Sequence, residues 1–410
     1  MNVAIVGSGI AGLAAADALG DADVTLYEAA PRAGGHVYTV DVDGVAVDLG
    51  FIVHNRERYP HFTALLDELA IPTRPTQMAF SVADGGREWG SASLSALFAD
   101  RRALVDPRHW RFLTEVLAFL YRARRDVRGP HAAGATLDEY LAARRVSRQV
   151  RDHFVVPLAA ALWSLAPERC GDFPAVSYLA FLEQHGMLSP VRPLAWRTIV
   201  GGSRRYVDAL IAKLHARGRF ALELGTPVTA VDRDATGVTV TSARGRRRYD
   251  RIVLATHADA ALVLLADADA EERTALGAFR YSRNRTVLHT DRSFLPARPA
   301  AHASWNYVAD PDTARVAVTY SMTRLQGLPD APYLVTLNPR REPAGILHET
   351  WFDHPQLDRA ALAAQGLLAR LSGARRTYFA GAHLGFGFHE DGMRAGKAAA
   401  ARLRTDARAA

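Results

Sequence analysis

The chain opens MNVAIVGSGIAGLAAADALGDADVTLYE, and no other stretch constrains its fold as strongly. Val3 to Val6 is an apolar run that reads as a buried strand. Gly7-Ser8-Gly9-Ile10-Ala11-Gly12 follows without a linker, and Leu13, Ala14, Ala16, Ala18 and Leu19 then read as a helix of small residues. Val24 to Tyr27 is a second strand, closed by Glu28. Strand, glycine turn, helix, strand and acid in that order form a dinucleotide-binding pattern. Gly7 lets the chain turn sharply, Gly9 lets backbone N–H groups approach a pyrophosphate, and Gly12 lets the helix pack on the strand. The helix start offers its free N–H groups and positive dipole end to phosphate. Glu28 stands where a carboxylate accepts hydrogen bonds from a ribose hydroxyl, so a phosphorylated ribose is disfavoured. A purely structural turn would not need all of these features in register.

At 410 residues the chain is too long for one ordinary core, which predicts two domains. Hydrophobic residues make up 49% and charged residues 23%, the balance of a soluble globular protein. The longest apolar stretch, Phe154 to Ala166, contains Pro157 and is too short to span a bilayer. The first apolar run is already a strand, so no signal peptide is read and a cytoplasmic location is expected. The single cysteine, Cys170, excludes an internal disulfide and a Cys-rich metal site. The histidines show no ligand-spaced pair beside acids, and no metal is expected. The net charge of +7 comes from arginines scattered among alanines, so nucleic acid is not expected as a partner. Two basic runs, Arg101 to Arg128 and Arg244 to Arg251, read as solvated faces or as contacts with an anionic surface such as a membrane periphery or an acidic ligand.

Past Asp48-Leu49-Gly50 the nucleotide-binding pattern stops. Pro60 to Ala70 reads as a short amphipathic helix, and Leu104 to Arg128 as a basic helical region with Trp110, Leu113, Leu117 and Leu120 on one side. Arg151 to Glu183 reads as helical and buried. The pattern returns at Gly201-Gly202-Ser203, where Ser203 is predicted to N-cap a helix ending at Gly218. Three short strands follow (Val228–Asp232, Val238–Thr241 and Arg246–Tyr249), then the buried strand Ile252-Val253-Leu254-Ala255-Thr256. Residues 280–355 read as an antiparallel sheet. The chain then closes with a strand, a glycine-rich loop and a helix of small residues, YFAGAHLGFGFHEDGMRAGK.

The segment Ala29-Ala30-Pro31-Arg32-Ala33-Gly34-Gly35-His36 carries a second glycine pair just after Glu28. With the closing GFGFHEDGMRAG, it resembles the flavin amine oxidase and phytoene desaturase superfamily. DLGFIVHN, ASWNY, VTYSMTRLQGL and AGAHLGFGFHEDGMRAG extend the likeness to the bacterial subgroup described as "predicted NAD/FAD-binding protein", whose members are of amine-oxidase type and associated with lipid-modifying genes. The resemblance implies a Rossmann-like FAD-binding domain (1–56, 200–268 and 372–410) carrying an inserted substrate domain of helices and an antiparallel sheet (57–199 and 269–371), that is, α/β plus α+β. It implies FAD, held without a covalent bond, by Gly7, Gly9, Ile10, Ala11, Gly12, Glu28, Ala29, Arg32, Gly34, Gly35, His36, Gly50, Phe51, Val228, Ala255, Gly381, His383, Glu390, Asp391, Gly392 and Met393. His36 replaces the superfamily's usual Arg, and His383 its common Glu; Arg32 is the alternative source of charge for the pyrophosphate.

FAD chemistry asks little of side chains, and a base helps only where the substrate must lose a proton. His54, in the loop after Gly50, is read as such a base or as a hydrogen-bonded structural histidine. His389 flanks the turn beside the flavin and is the other candidate. Glu390 and Asp391 are read as helix caps that position the cofactor. Trp305, Tyr307 and Tyr320 either line an apolar substrate pocket or pack in the core. The expected activity is dehydrogenation or desaturation of an apolar, fatty acyl or lipid-like molecule, with oxygen or another acceptor reoxidising the flavin. An amine oxidase, a redox-neutral double-bond isomerase and a non-catalytic FAD-binding protein stand as alternatives.

Overall fold

The computed structural model describes every residue except 85–86, 128, 164–166, 190–193, 310–315, 330 and 410. The end of the apolar stretch (164–166) and the last residue of the first basic run (128) therefore lie outside the described residues.

Two sheets organise the chain. The first is parallel, with strand order Phe220–Glu223, Asp23–Tyr27, Asn2–Val6, Arg251–Leu254 and Thr377–Phe379. Its strands are apolar on both faces because helices cover both. Val3, Ile5 and Val253 are fully buried beneath the helices Ile10–Ala18 and His389–Ala409, together with Leu13, Ala14 and Met393. Those two helices approach closely because glycines face the seam: a Cβ at Gly396 would run into the Ala11 carbonyl. A three-stranded antiparallel sheet, Val228–Arg233, Val238–Ser242 and Gly245–Tyr249, follows the predicted strands almost residue for residue.

The second sheet has seven strands in the order Ile346–Gln356, Arg280–His289, Leu334–Leu337, Val316–Ser321, Trp305–Ala309, Phe80–Asp84 and Arg87–Gly90. Its last two strands, Phe80–Asp84 and Arg87–Gly90, lie outside the segment expected to form it. Phe80–Asp84 joins in parallel with Trp305–Ala309, and Ser81 Oγ donates to Asn306 Oδ1 at 2.8 Å. Helices from 94 to 184 lie over this sheet and share its core.

One local expectation is sharpened and one corrected. The basic helix runs Pro107–Asp126, and the side that carries Trp110, Leu113, Leu117 and Leu120 straddles the edge of the core: Trp110 and Leu117 face solvent, Leu113 is half-buried and Leu120 is buried. The inward row is Phe112, Phe119, Leu120 and Ala123. Ser203 does not cap the helix Arg204–Ala216 with its side chain. Its N–H and hydroxyl are drawn to the buried Asp48 carboxylate, at 2.9 Å each.

Candidate functional site

The opening glycines build a cradle at one helix end. Gly7 has φ +102°, and a Cβ on Gly12 would run into the Gly7 carbonyl. Gly9 differs: its backbone is ordinary (φ −64°, ψ 176°), and a Cβ there would meet nothing within 4 Å. Open space thus lies over the start of Ile10–Ala18, which has no side-chain cap and no acid in its first turn. Gly34 and Gly35 (φ +108° and +57°) fold back so that a Cβ on Gly35 would lie 3.1 Å from Gly9 Cα, and the Gly34 N–H donates to the Ser8 carbonyl at 3.0 Å. Unpaired N–H groups beside open space at a helix N-terminus fit a pyrophosphate.

Glu28 is less free than expected. Its Oε2 accepts the Ser8 N–H (2.9 Å) and hydroxyl (2.6 Å), and its Oε1 accepts the Ala30 N–H (2.9 Å). A carboxylate offers about four acceptor sites, so Glu28 shapes the turn and keeps room for one further donor. Ala29 lies in the same bend, and the approach to Val228 runs alongside, with the Thr226 N–H on the Glu28 carbonyl at 2.8 Å. Ala255 meets the turn from the neighbouring strand, its carbonyl 2.7 Å from where a Gly7 Cβ would stand. Arg32 braces the second glycine loop rather than projecting from it. Its guanidinium donates to the Gly35 and Val37 carbonyls (2.9 and 3.0 Å) and sits 4.0 Å from the centre of the Tyr38 ring.

His36 stacks on Phe352 (5.0 Å) with Nε2 3.2 Å from the Asp353 carbonyl, and burial brings its pKa down to about 3. The ring is therefore neutral and adds no charge to the cradle at ordinary pH. Gly50 is required behind it, because a Cβ there would strike the His36 carbonyl. Phe51 donates its N–H to the same carbonyl at 3.1 Å.

The closing helix forms the opposite wall. Ile10, Ala11, Gly392 and Met393 meet at its seam with the first helix and are buried there. Asp391 accepts the N–H groups of Phe386 (2.9 Å) and Phe388 (3.2 Å) and pairs with Arg394 (2.8 Å), which closes the glycine-rich loop. Glu390 caps a different helix: it accepts the N–H groups of His61 and Phe62 at 2.9 and 3.0 Å, at the start of Pro60–Glu68. Gly381 leaves room for the His383 ring, which packs edge-on to Phe279 at 4.9 Å; burial lowers its pKa to about 3.

Aromatic rings fill the space between. His389 stacks on Phe51 at 3.7 Å, and its Nε2 lies 2.9 Å from the Tyr206 hydroxyl. Burial holds this imidazole neutral, far below the ordinary histidine range. His54 is 1% exposed, edge-on to Phe62, and its pKa is brought down to about 4 by burial. Neither of its ring nitrogens has a hydrogen-bond partner among the described residues, so it is not the hydrogen-bonded histidine considered above. His257 stacks on Tyr281 at 4.3 Å and lies 6.1 Å from His36, whose ring is 5.6 Å from His354. Burial pulls both of these histidines down as well, His354 to about 4.

The sequence reading did not single out His257, His354, Tyr281 or Phe352. His257 carried a signal, since it stands two residues beyond Ala255. The others depend on the pairing of Arg280–His289 with Ile346–Gln356, which brings distant segments together. Trp305 and Tyr320 are register partners in edge-to-face contact at 5.4 Å, and Tyr307, buried on the same face, joins the core that holds Phe112 and Phe119.

A family model described as "flavin containing amine oxidoreductase" matches residues 10–329. The chain belongs to that family. Membership implies a flavin cofactor, in keeping with the cradle built by the opening glycines. A Mycobacterium tuberculosis protein with the provisional name flavin-containing monoamine oxidase AofH is 27% identical over 274 residues, covering 62% of this chain and 56% of that one. The chain thus spans about half the length of the curated relatives it matches. The fold matches a fatty acid isomerase from P. acnes (TM-score 0.72, 18% identity, 98% of both chains). It also matches cyclohexylamine oxidase from Brevibacterium oxydans IH-35A (TM-score 0.72, 20% identity, 99% of both chains).

Proposed function

We propose that this family member dehydrogenates an apolar, fatty acyl or lipid-like substrate. One observation carries the reading: the buried carboxylates Asp48, Glu390 and Asp391 are already engaged by partners within the protein. Asp48 holds Thr39, Ser203 and Gln326, Glu390 caps a helix, and Asp391 binds its own loop and Arg394. The imidazoles around them are neutral. A buried ammonium without a partner is costly, whereas an apolar chain meets only rings and methyl groups. When bound, the flavin supplies the two-electron acceptor, with oxygen or another oxidant downstream. The chain itself excludes water with Phe51, Phe352, Phe388 and Tyr281, and orients substrate against Trp305 and Tyr320. His389 is tied to Tyr206 and positions the Phe51 ring. His54, whose ring nitrogens have no hydrogen-bond partner among the described residues, is the candidate base where the substrate must lose a proton.

A second reading, an amine oxidase, draws support from the family, from the name of the mycobacterial relative and from the edge-to-face Trp305–Tyr320 pair. Anaerobic mixing separates the two. Fatty acyl or polyene substrates are expected to bleach the flavin absorbance. Bleaching by primary amines alone, with peroxide released in air, overturns the first reading in favour of the second. A product of unchanged mass with no net bleaching assigns double-bond isomerisation instead.

A further inference from the structure

Exposed large apolar side chains are concentrated in one short region. Among the described residues there are thirteen, and six of them (Leu94, Leu104, Val105, Trp110, Leu117 and Tyr121) fall between positions 94 and 121. The helix Pro107–Asp126 carries two apolar faces. Phe112, Phe119, Leu120 and Ala123 point inward. Trp110, Thr114, Leu117 and Tyr121, at i, i+4, i+7 and i+11, form an outward row. The loop before the helix extends this row: the Trp110 indole N–H donates to the Leu104 carbonyl at 2.9 Å, and Leu94 and Val105 project almost freely, at 78% and 86% exposure.

The charge around this row is one-sided. Arg101, Arg102, Arg108, Arg111, Arg122, Arg124 and Arg125 are all exposed. Of the nearby acids, Glu115 pairs with Arg111 of this set and with Ser147, while the others are occupied elsewhere: Asp100 with Arg298, Asp126 with Arg144 and Tyr140, and Asp106 as the helix cap. The other basic run is the contrast. Arg244, Arg246, Arg247 and Arg248 each pair with Glu223, Asp232 or Asp234, so that face is neutralised from within. On the 94–125 surface, Arg102, Arg108, Arg122 and Arg124 have no acidic partner among the described residues and stand beside bare apolar tips.

We infer that this surface seats the protein on an anionic lipid bilayer, with the Pro107–Asp126 helix lying along the plane. Leu94, Val105, Trp110, Leu117 and Tyr121 enter the boundary between headgroups and acyl chains, and the arginines rest on lipid phosphates. Separate protruding tips, rather than a groove, suit a soft apolar layer better than a folded partner. The inference does not depend on the proposed reaction, because lipid binding needs no substrate turnover.

The test is sedimentation of the FAD-loaded protein with vesicles of phosphatidylcholine alone and of phosphatidylcholine mixed equally with phosphatidylglycerol. Binding is expected only with the anionic vesicles and is expected to weaken as salt rises. Replacing Arg102, Arg122 and Arg124 by Ser is expected to lower the partition coefficient about fivefold for each arginine removed. Val105→Asp with Leu117→Asp is expected to abolish pelleting while the bound flavin spectrum stays unchanged, which shows that the fold is intact. Absence of binding to anionic vesicles, or equal binding by the variants, overturns the inference. So does light scattering that shows a dimer lost in the same variants, since the face would then join two copies of this chain.

Discussion

Gly9 and Gly12 stand three residues apart in one turn, yet they fail for different reasons when substituted. A side chain on Gly12 strikes the protein's own backbone, whereas one on Gly9 enters empty space. Gly9→Val is therefore expected to fold with unchanged far-UV circular dichroism and to purify without its flavin absorbance, because the new methyl groups occupy the place of the pyrophosphate. A yellow Gly9→Val protein would move the phosphate site elsewhere. His289 shows a second residue-level effect, away from the cradle. Its Nδ1 accepts the Asp291 N–H (3.1 Å), so Nε2 donates to Thr336 Oγ1 (2.7 Å), and the ring must stay neutral to keep both bonds. Burial brings its pKa down to about 4, against about 6.5 in an unfolded chain. Between those values the unfolded chain binds a proton that the folded chain does not. The stabilisation is thus complete above about pH 6.5 and is lost as pH falls toward 4, by about 2–3 kcal/mol. His289→Gln should flatten the fall in urea midpoint between pH 7 and about pH 5. Parallel falls in variant and parent would show that other groups carry it.

At the scale of elements, Glu390 ties the closing helix to Pro60–Glu68 by capping it across the molecule. Glu390→Ala leaves two N–H groups at a buried helix start without their acceptor, at a cost of about 1–3 kcal/mol, while Glu390→Gln should keep part of it. Thermal unfolding of the two variants checks the order, and a parental melting temperature in Glu390→Ala would mean that the cap contributes nothing. This contact also marks where sequence reading stops. The cradle was legible because its parts are local: strand, turn, helix and acid lie within 28 residues, and each has a backbone reason to be there. Glu390 and Asp391 were legible as caps, but not which helix Glu390 serves, since its donors are more than 300 positions away. The strands Phe80–Asp84 and Arg87–Gly90 lie outside the expected sheet for the same reason: the partner of the first is Trp305–Ala309, and nothing local announces that pairing. The side shared by Trp110, Leu113, Leu117 and Leu120 was legible, but not that it straddles the edge of the core, since the segments packed against the helix are distant in sequence. The helix has two apolar stripes, and the weaker one faces solvent.

At the scale of the molecule, the chain leaves and re-enters the nucleotide-binding sheet, and one buried arginine joins the points of passage. Arg233 ends the strand Val228–Arg233 with its side chain 1% exposed. It donates to Asp267 at 2.8 Å and to Glu272 at 2.5 Å, on the segment that leads toward the second sheet. Arg375, just before the returning strand Thr377–Phe379, reaches the same two carboxylates. Three segments thus share one charge cluster, and Glu272 is nearly as buried as Arg233. Removing Arg233 leaves two carboxylates, one of them buried, to share Arg375 alone, which costs more than removing one charge of each sign. Arg233→Met is therefore expected to lower unfolding free energy by about 3–5 kcal/mol, and Arg233→Met with Glu272→Leu to recover a substantial part of that loss. Urea titrations of the holoenzyme, followed by circular dichroism and by flavin release, measure both. If the cluster links the two sheets, the two signals should move together in the single variant. A double variant less stable than the single one, or flavin release that precedes unfolding only in the variant, would show that Arg233 anchors the nucleotide fold alone.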